Sequence, residues 1–96
     1  ALRVNGVLTE LDIGRNQIGD EGATAIAEEL RGNAVLTSLE VGVNNIGPTG
    51  ATAIAEALRV NAVLKSIDLS DNNLGDEGEK AIHDAVSGRE GFELEM

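Results

Sequence analysis

The 96-residue chain carries 17 Asp and Glu against 7 Lys and Arg, a formal charge of −10. Such a balance excludes phosphate-backbone recognition and attraction to anionic membranes, both of which need clustered cations. Phe92 is the one aromatic residue in a sequence that is 42 % hydrophobic and has no cysteine, so a single small core must be built from Leu, Ile, Val and Ala without disulfides or thiolate metal sites.

The first residues, Ala1-Leu2-Arg3-Val4-Asn5, return verbatim as Ala57 to Asn61. By that register residues 1–6 form the end of a helix whose own strand lies upstream. The sequence therefore predicts the C-terminal part of a longer array, with an open N-terminal edge around Leu2 and Leu8.

Residues 7–34 divide into two halves of different hydrophobic period. Leu8, Leu11 and Ile13 fall on one side of a short alternating segment, with Glu10, Asp12 and Gly14 on the other, which predicts a strand. Ala23, Ile26, Ala27 and Leu30 follow at spacings of three and four, which predicts a helix with one apolar face. Asp20 is the expected N-cap, Glu21 suits the positive first turn, and Gly32 and Asn33 offer a left-handed exit.

Residues 35–62 repeat this pattern and match residues 7–34 at roughly two-thirds of positions. Pro48 stands where Asp20 stood, a substitution that the first turn of a helix tolerates. Residues 63–90 form a third copy in which Glu79, His83 and Val86 replace Ala51, Ala55 and Leu58. Polar residues at inward positions predict that no further helix packs there. Residues 91–96 alternate from Phe92 to Met96 and are expected to form a last, capping strand.

A strand and a helix in every copy, all running the same way, predict a parallel sheet with helices on one side, each unit burying its apolar face only against its neighbours. The stretches Leu8 to Ile18, Leu36 to Ile46 and Leu64 to Leu74 follow LxxLxLxxNxL, and each precedes a helix pattern. In this the chain resembles the leucine-rich-repeat proteins, and in its 28-residue period the ribonuclease-inhibitor-like subclass, seen also in the repeat arrays of NOD-like receptors. The resemblance implies an α/β solenoid, a right-handed βα superhelix with parallel strands on the concave face and helices on the convex face. It also gives Asn16, Asn44 and Asn72 a structural role, each amide bonding backbone inside the turn after its strand; the donors and acceptor of Asn suit that task. Gly22, Gly50 and Gly78 read as close-packing positions, since no phosphate-loop pattern occurs.

The concave face is expected to present Glu10, Ser38 and Ser66 in one row and Asp12, Glu40 and Asp68 in the next, extended by Glu95 if Leu94 pairs with Ile67. Arg15, Val43 and Asp71 form a further row. The partner-binding residues expected from this geometry are Glu10, Asp12, Arg15, Glu40, Val43, Asp68, Asp71 and Glu95, with a protein partner bearing a basic surface. Parallel carboxylates do not converge as an oxygen-ligated metal requires, and no cofactor is expected.

No catalytic constellation is present. His83 is the single histidine and belongs to the outer helix layer, where Glu79 one turn earlier makes an ordinary helical pair. No nucleophile elbow or HExxH pair occurs. The sequence predicts a non-enzymatic protein–protein interaction scaffold. The alternative is a structural or peripheral subunit of a larger assembly, docking through its N-terminal edge or its helices. No apolar run reaches the roughly 18 residues of a spanning helix and no signal-peptide pattern stands at the start, so an intracellular, cytoplasmic setting without membrane insertion is expected.

Overall fold

The computed structural model describes residues 10–12, 14, 17–32 and 35–96. Along them short strands alternate with helices: β1 (Glu10–Asp12), α1 (Gly19–Gly32), β2 (Ser38–Glu40), α2 (Pro48–Val60), β3 (Ser66–Asp68), α3 (Gly75–Val86) and β4 (Glu93–Glu95). The strands form one parallel sheet in the order β1-β2-β3-β4. Each helix supplies the crossover that parallel neighbours need. Helix α1 packs on α2 and α2 on α3, which makes the helices a second layer.

The two periods of the sequence place the core between these layers. Alternation in β2 buries Leu39 and turns Ser38 and Glu40 outward. In α2 the spacing of Ala51, Ile54, Ala55 and Leu58 puts all four on the buried side. Small residues set how closely the helices approach. A Cβ on Gly50 would lie 2.8 Å from the Ala23 Cβ and 2.9 Å from the Ile46 Cγ2, so this site accepts only glycine without moving a neighbour.

The start of α1 differs from the local reading. Asp20 is the second residue of α1 rather than its N-cap. Its Oδ1 accepts the N–H groups of Gly47 at 2.7 Å and Gly50 at 2.9 Å, so it caps the following helix. A carboxylate at a helix N-terminus satisfies orphan donors and complements the dipole, and neither effect requires it to belong to the same helix. Pro48, its counterpart in α2, instead lies against Gly75 and Gly78.

Gly32 ends α1 without a positive φ, and Asn33 lies outside the described residues. Its counterpart Asn61 is extended, with φ −95° and ψ 114°, and serves through its buried side chain. The amide donates to the Leu30 carbonyl at 2.8 Å and accepts from the N–H groups of Val63 and Leu64 at 2.9 and 2.8 Å. In the next repeat Arg89 takes this place. Its guanidinium donates to the carbonyls of Leu58, Asn61 and Leu64 and lies 4.7 Å from the centroid of the Phe92 ring. Arg has no acceptor with which to hold the following N–H groups. Correspondingly, the step from Ser66 to its partner Glu93 is one residue shorter than that from Ser38 to Ser66.

Candidate functional site on the open sheet face

One side of each strand faces the helices, so the other is left open. Pairing sets Glu10, Ser38, Ser66 and Glu93 opposite one another in one row, and Asp12, Glu40, Asp68 and Glu95 in a second. Between them Leu11, Leu39, Ile67 and Leu94 share the row that packs into the core. Glu93, which was not singled out from the sequence, belongs to the first row. Alternation through Glu93-Leu94-Glu95 carries that signal once Leu94 is set beside Ile67.

The two hydroxyls of the first row meet, Ser66 Oγ donating to Ser38 Oγ at 3.2 Å. In the second row the aspartates and glutamates differ. Asp12 Oδ1 accepts the Gly14 N–H at 3.0 Å, and Asp68 Oδ1 accepts the N–H and hydroxyl of Ser70 at 2.9 and 2.6 Å. These short side chains fold back on the turn that leaves the strand, as Asx side chains do. Glu40 and Glu95 are longer and exposed. Both reach outward, from strands separated by β3 and so about 9.6 Å apart at about 4.8 Å per step.

Val43 and Asp71 do not lie on strands, since β2 and β3 end at Glu40 and Asp68. They occupy the turns beyond, with φ of 56° and 58°. Arg15, Leu2 and Leu8 lie outside the described residues, as does Asn16. The two described members of the asparagine series sit inside these turns. Asn72 donates to the carbonyls of Val41 at 3.0 Å and Leu69 at 2.9 Å and accepts from the N–H groups of Asn44 at 2.8 Å and Ile46 at 3.0 Å. Asn44, fully buried, donates to Gly42 O at 3.1 Å and accepts from Ile18 N–H at 3.4 Å. Among the described residues no group of three or more His, Asp or Glu side chains is placed to hold a metal ion, and His83 is exposed on α3. No helix among them is long and apolar enough to cross a membrane.

Stacked strand–helix units joined by a parallel sheet and by asparagines in their turns define a leucine-rich-repeat solenoid. The family model described as Leucine Rich repeat matches residues 4–27, 32–55 and 60–82, and the chain belongs to that family. It is similar to a solved structure titled "Leiomodin-1 Actin-Binding Site 2 (ABS2)", with 25 % sequence identity and a TM-score of 0.85. The match covers 94 % of this chain and 53 % of that one, so the chain spans about half the length of the leiomodin structure. No curated protein matches it.

Proposed function

We propose that this chain is a non-enzymatic protein-interaction scaffold whose open, acidic sheet face receives a basic surface of a protein partner. The observation that carries this reading is the register of Asp12, Glu40, Asp68 and Glu95 across four strands. A rigid sheet presents its carboxylates in fixed positions, so binding costs little ordering entropy. Because Asp12 and Asp68 are engaged with their own turns, Glu40 and Glu95 supply the contacts, with Glu10 and Glu93 beside them. The 28-residue period and full helices favour the ribonuclease-inhibitor-like subclass. Residues 63–96, with polar Glu79 and His83 and with Arg89 in the place of Asn61, favour the C-terminal part of a repeat array.

The likeness to an actin-binding segment makes actin the first partner to test. Titration of monomeric actin, and of a Lys/Arg-rich peptide as a generic basic probe, into the chain and into Glu40→Lys/Glu95→Lys decides the matter. Binding should weaken at least about tenfold on charge reversal and fall steeply with salt, as exposed charge pairs are screened. Binding unchanged by the reversal would exclude the sheet face. A second reading, docking through the helix layer as a peripheral subunit, is favoured by Val60, 61 % exposed at the end of α2. Such apolar contact would be insensitive to salt and lost on Val60→Ser.

A further inference from the structure

Among the described residues, the turns that follow the strands hold four non-glycine residues with positive φ: Gln17 (51°), Val43 (56°), Asn45 (59°) and Asp71 (58°). Asn and Asp enter this region at small cost, but a β-branched side chain there is strained. The fold does not require valine. The equivalent turn of the next repeat is made by Asp71, and the Val43 N–H donates to the Ser70 carbonyl at 2.9 Å through backbone alone. Nor does the side chain join the core, being 39 % exposed. The chain thus holds an apolar side chain outward at a conformational cost. Strain of this kind points to a contact made elsewhere.

The surroundings of Val43 specify what that contact can be. Gln17, Asn45 and Asn73 occupy the same position in three successive repeats, and all three are exposed. Among the described residues their carboxamides make no hydrogen bond. With Val43 and Asp71 they line a shallow depression, held in place by Asn72, whose amide is bound to backbone on both sides. Neutral groups that both donate and accept match the peptide unit, which presents one N–H and one C=O per residue. They also match nucleobase edges, but a chain of charge −10 repels the phosphates that accompany them.

We infer that this turn edge is a second contact surface, distinct from the acidic sheet face, that binds an uncharged extended segment of a protein partner. The segment's main-chain amides pair with the carboxamides of Gln17, Asn45 and Asn73, and a small apolar side chain packs on Val43. This rests on the interaction-scaffold reading but not on its acidic stripe.

Glycine substitution gives a direct test. Val43→Gly and Asn45→Gly remove the side chains while keeping a residue at ease with positive φ, so thermal melts should show both variants at least close to the parent in stability. A random peptide library displayed on phage is selected against the chain, and enriched peptides are titrated calorimetrically at 50 and 300 mM salt. The expected result is uncharged peptides that lose about tenfold or more in affinity on either glycine substitution, a hot-spot-sized effect. Their affinity should stay within about twofold on raising salt or on Glu40→Gln/Glu95→Gln. Enrichment of no peptide, or of peptides indifferent to both glycine variants, overturns the proposal. Basic peptides that respond to Glu40→Gln/Glu95→Gln and not to the glycines overturn it while supporting the sheet face.

Discussion

The carboxylate of Asp20 lies 2.9 Å from the amide nitrogen of Gly50, so a side chain in the first turn of one helix closes the N-terminus of the next. Because it also holds the Gly47 N–H, this carboxylate is a bond between repeats rather than within one. In a solenoid such contacts set the nearest-neighbour coupling on which cooperative unfolding depends. Asp20→Ala should cost about 1–2 kcal/mol, the upper part of the range for a lost N-cap. Asp20→Asn, which keeps the acceptor but not the charge, should recover part of it. Urea unfolding followed by circular dichroism measures both, and an alanine variant as stable as the parent would remove Asp20 from this role.

Asn72 joins the second and third repeats through five backbone groups, the fifth being the Ser70 carbonyl, which also accepts from the Val43 N–H. Asn72→Leu would leave two N–H and two C=O groups in a closed turn without partners. Each buried orphan costs about 1–3 kcal/mol before relaxation, so a loss of about 3 kcal/mol is expected. Asp at this position accepts the two N–H bonds but cannot donate to Val41 and Leu69, and should rescue only partly. Hydrogen exchange at Asn44 and Ile46, whose N–H groups Asn72 holds, should accelerate in the leucine variant more than exchange within α2.

These two residues also show what the sequence discloses. The repeat states each structural position three times, and its two periods name strand and helix, so the sheet register and the helix faces follow directly. Asn72 was readable because its chemistry suits a turn wherever the partners are. Asp20 was not, because capping rules are local and its partners lie in the next repeat. Asn61, the counterpart of Asn33, is likewise beyond local rules, since its amide bridges Leu30 to Val63 and Leu64. For the candidate site, alternation located the carboxylate rows. β2 and β3 end at Glu40 and Asp68, and Val43 and Asp71 follow in turns with positive φ, which takes those two residues off the sheet. That shift depends on backbone dihedrals that neither valine nor aspartate announces.

Arg89 and Asn61 solve the same problem differently. Asn61 donates to the Leu30 carbonyl and holds the chain that follows, whereas Arg89 donates to the Leu58 carbonyl and two others and stacks on Phe92. Arg89→Ala removes three charge-assisted donors, and about 2 kcal/mol of destabilisation is expected, since bonds to charged groups contribute about 1.5–3 kcal/mol and their losses overlap. Arg89→Lys should recover little, because a single ammonium cannot match the planar fork. Thermal melts of the two variants and the parent test this ranking.

Val43 gives a prediction of opposite sign. Replacing a β-branched residue at φ 56° by one that tolerates the region removes a cost of about 1–2 kcal/mol. The side chain is largely outside the core, so little packing is lost in return. Val43→Asn should therefore stabilise by about 1 kcal/mol, raising the melting temperature by about 4–8 °C for a domain of this size. A drop in stability would mean that Val43 packs against the chain more than its exposure indicates.

The acidic row makes a graded prediction. Glu40 stands between Asp12 and Asp68, and Glu95 beside Asp68 alone. Like charges directly opposite each other destabilise a sheet by about 0.2–1 kcal/mol per pair. Glu40→Gln removes two such pairs and Glu95→Gln one, so the first should stabilise by about 0.5–1 kcal/mol and the second by about half as much. Salt should act in the same direction on the parent and less on the variants, because at 0.5 M the Debye length falls to about 4 Å, shorter than the strand spacing. Melting temperatures at 20 mM and 0.5 M salt for the three proteins separate repulsion from other effects of the substitutions. Equal stability and equal salt response in all three would mean that solvent already screens the row. The carboxylates would then be held at no cost to the fold, and their spacing would owe nothing to a trade of stability for binding.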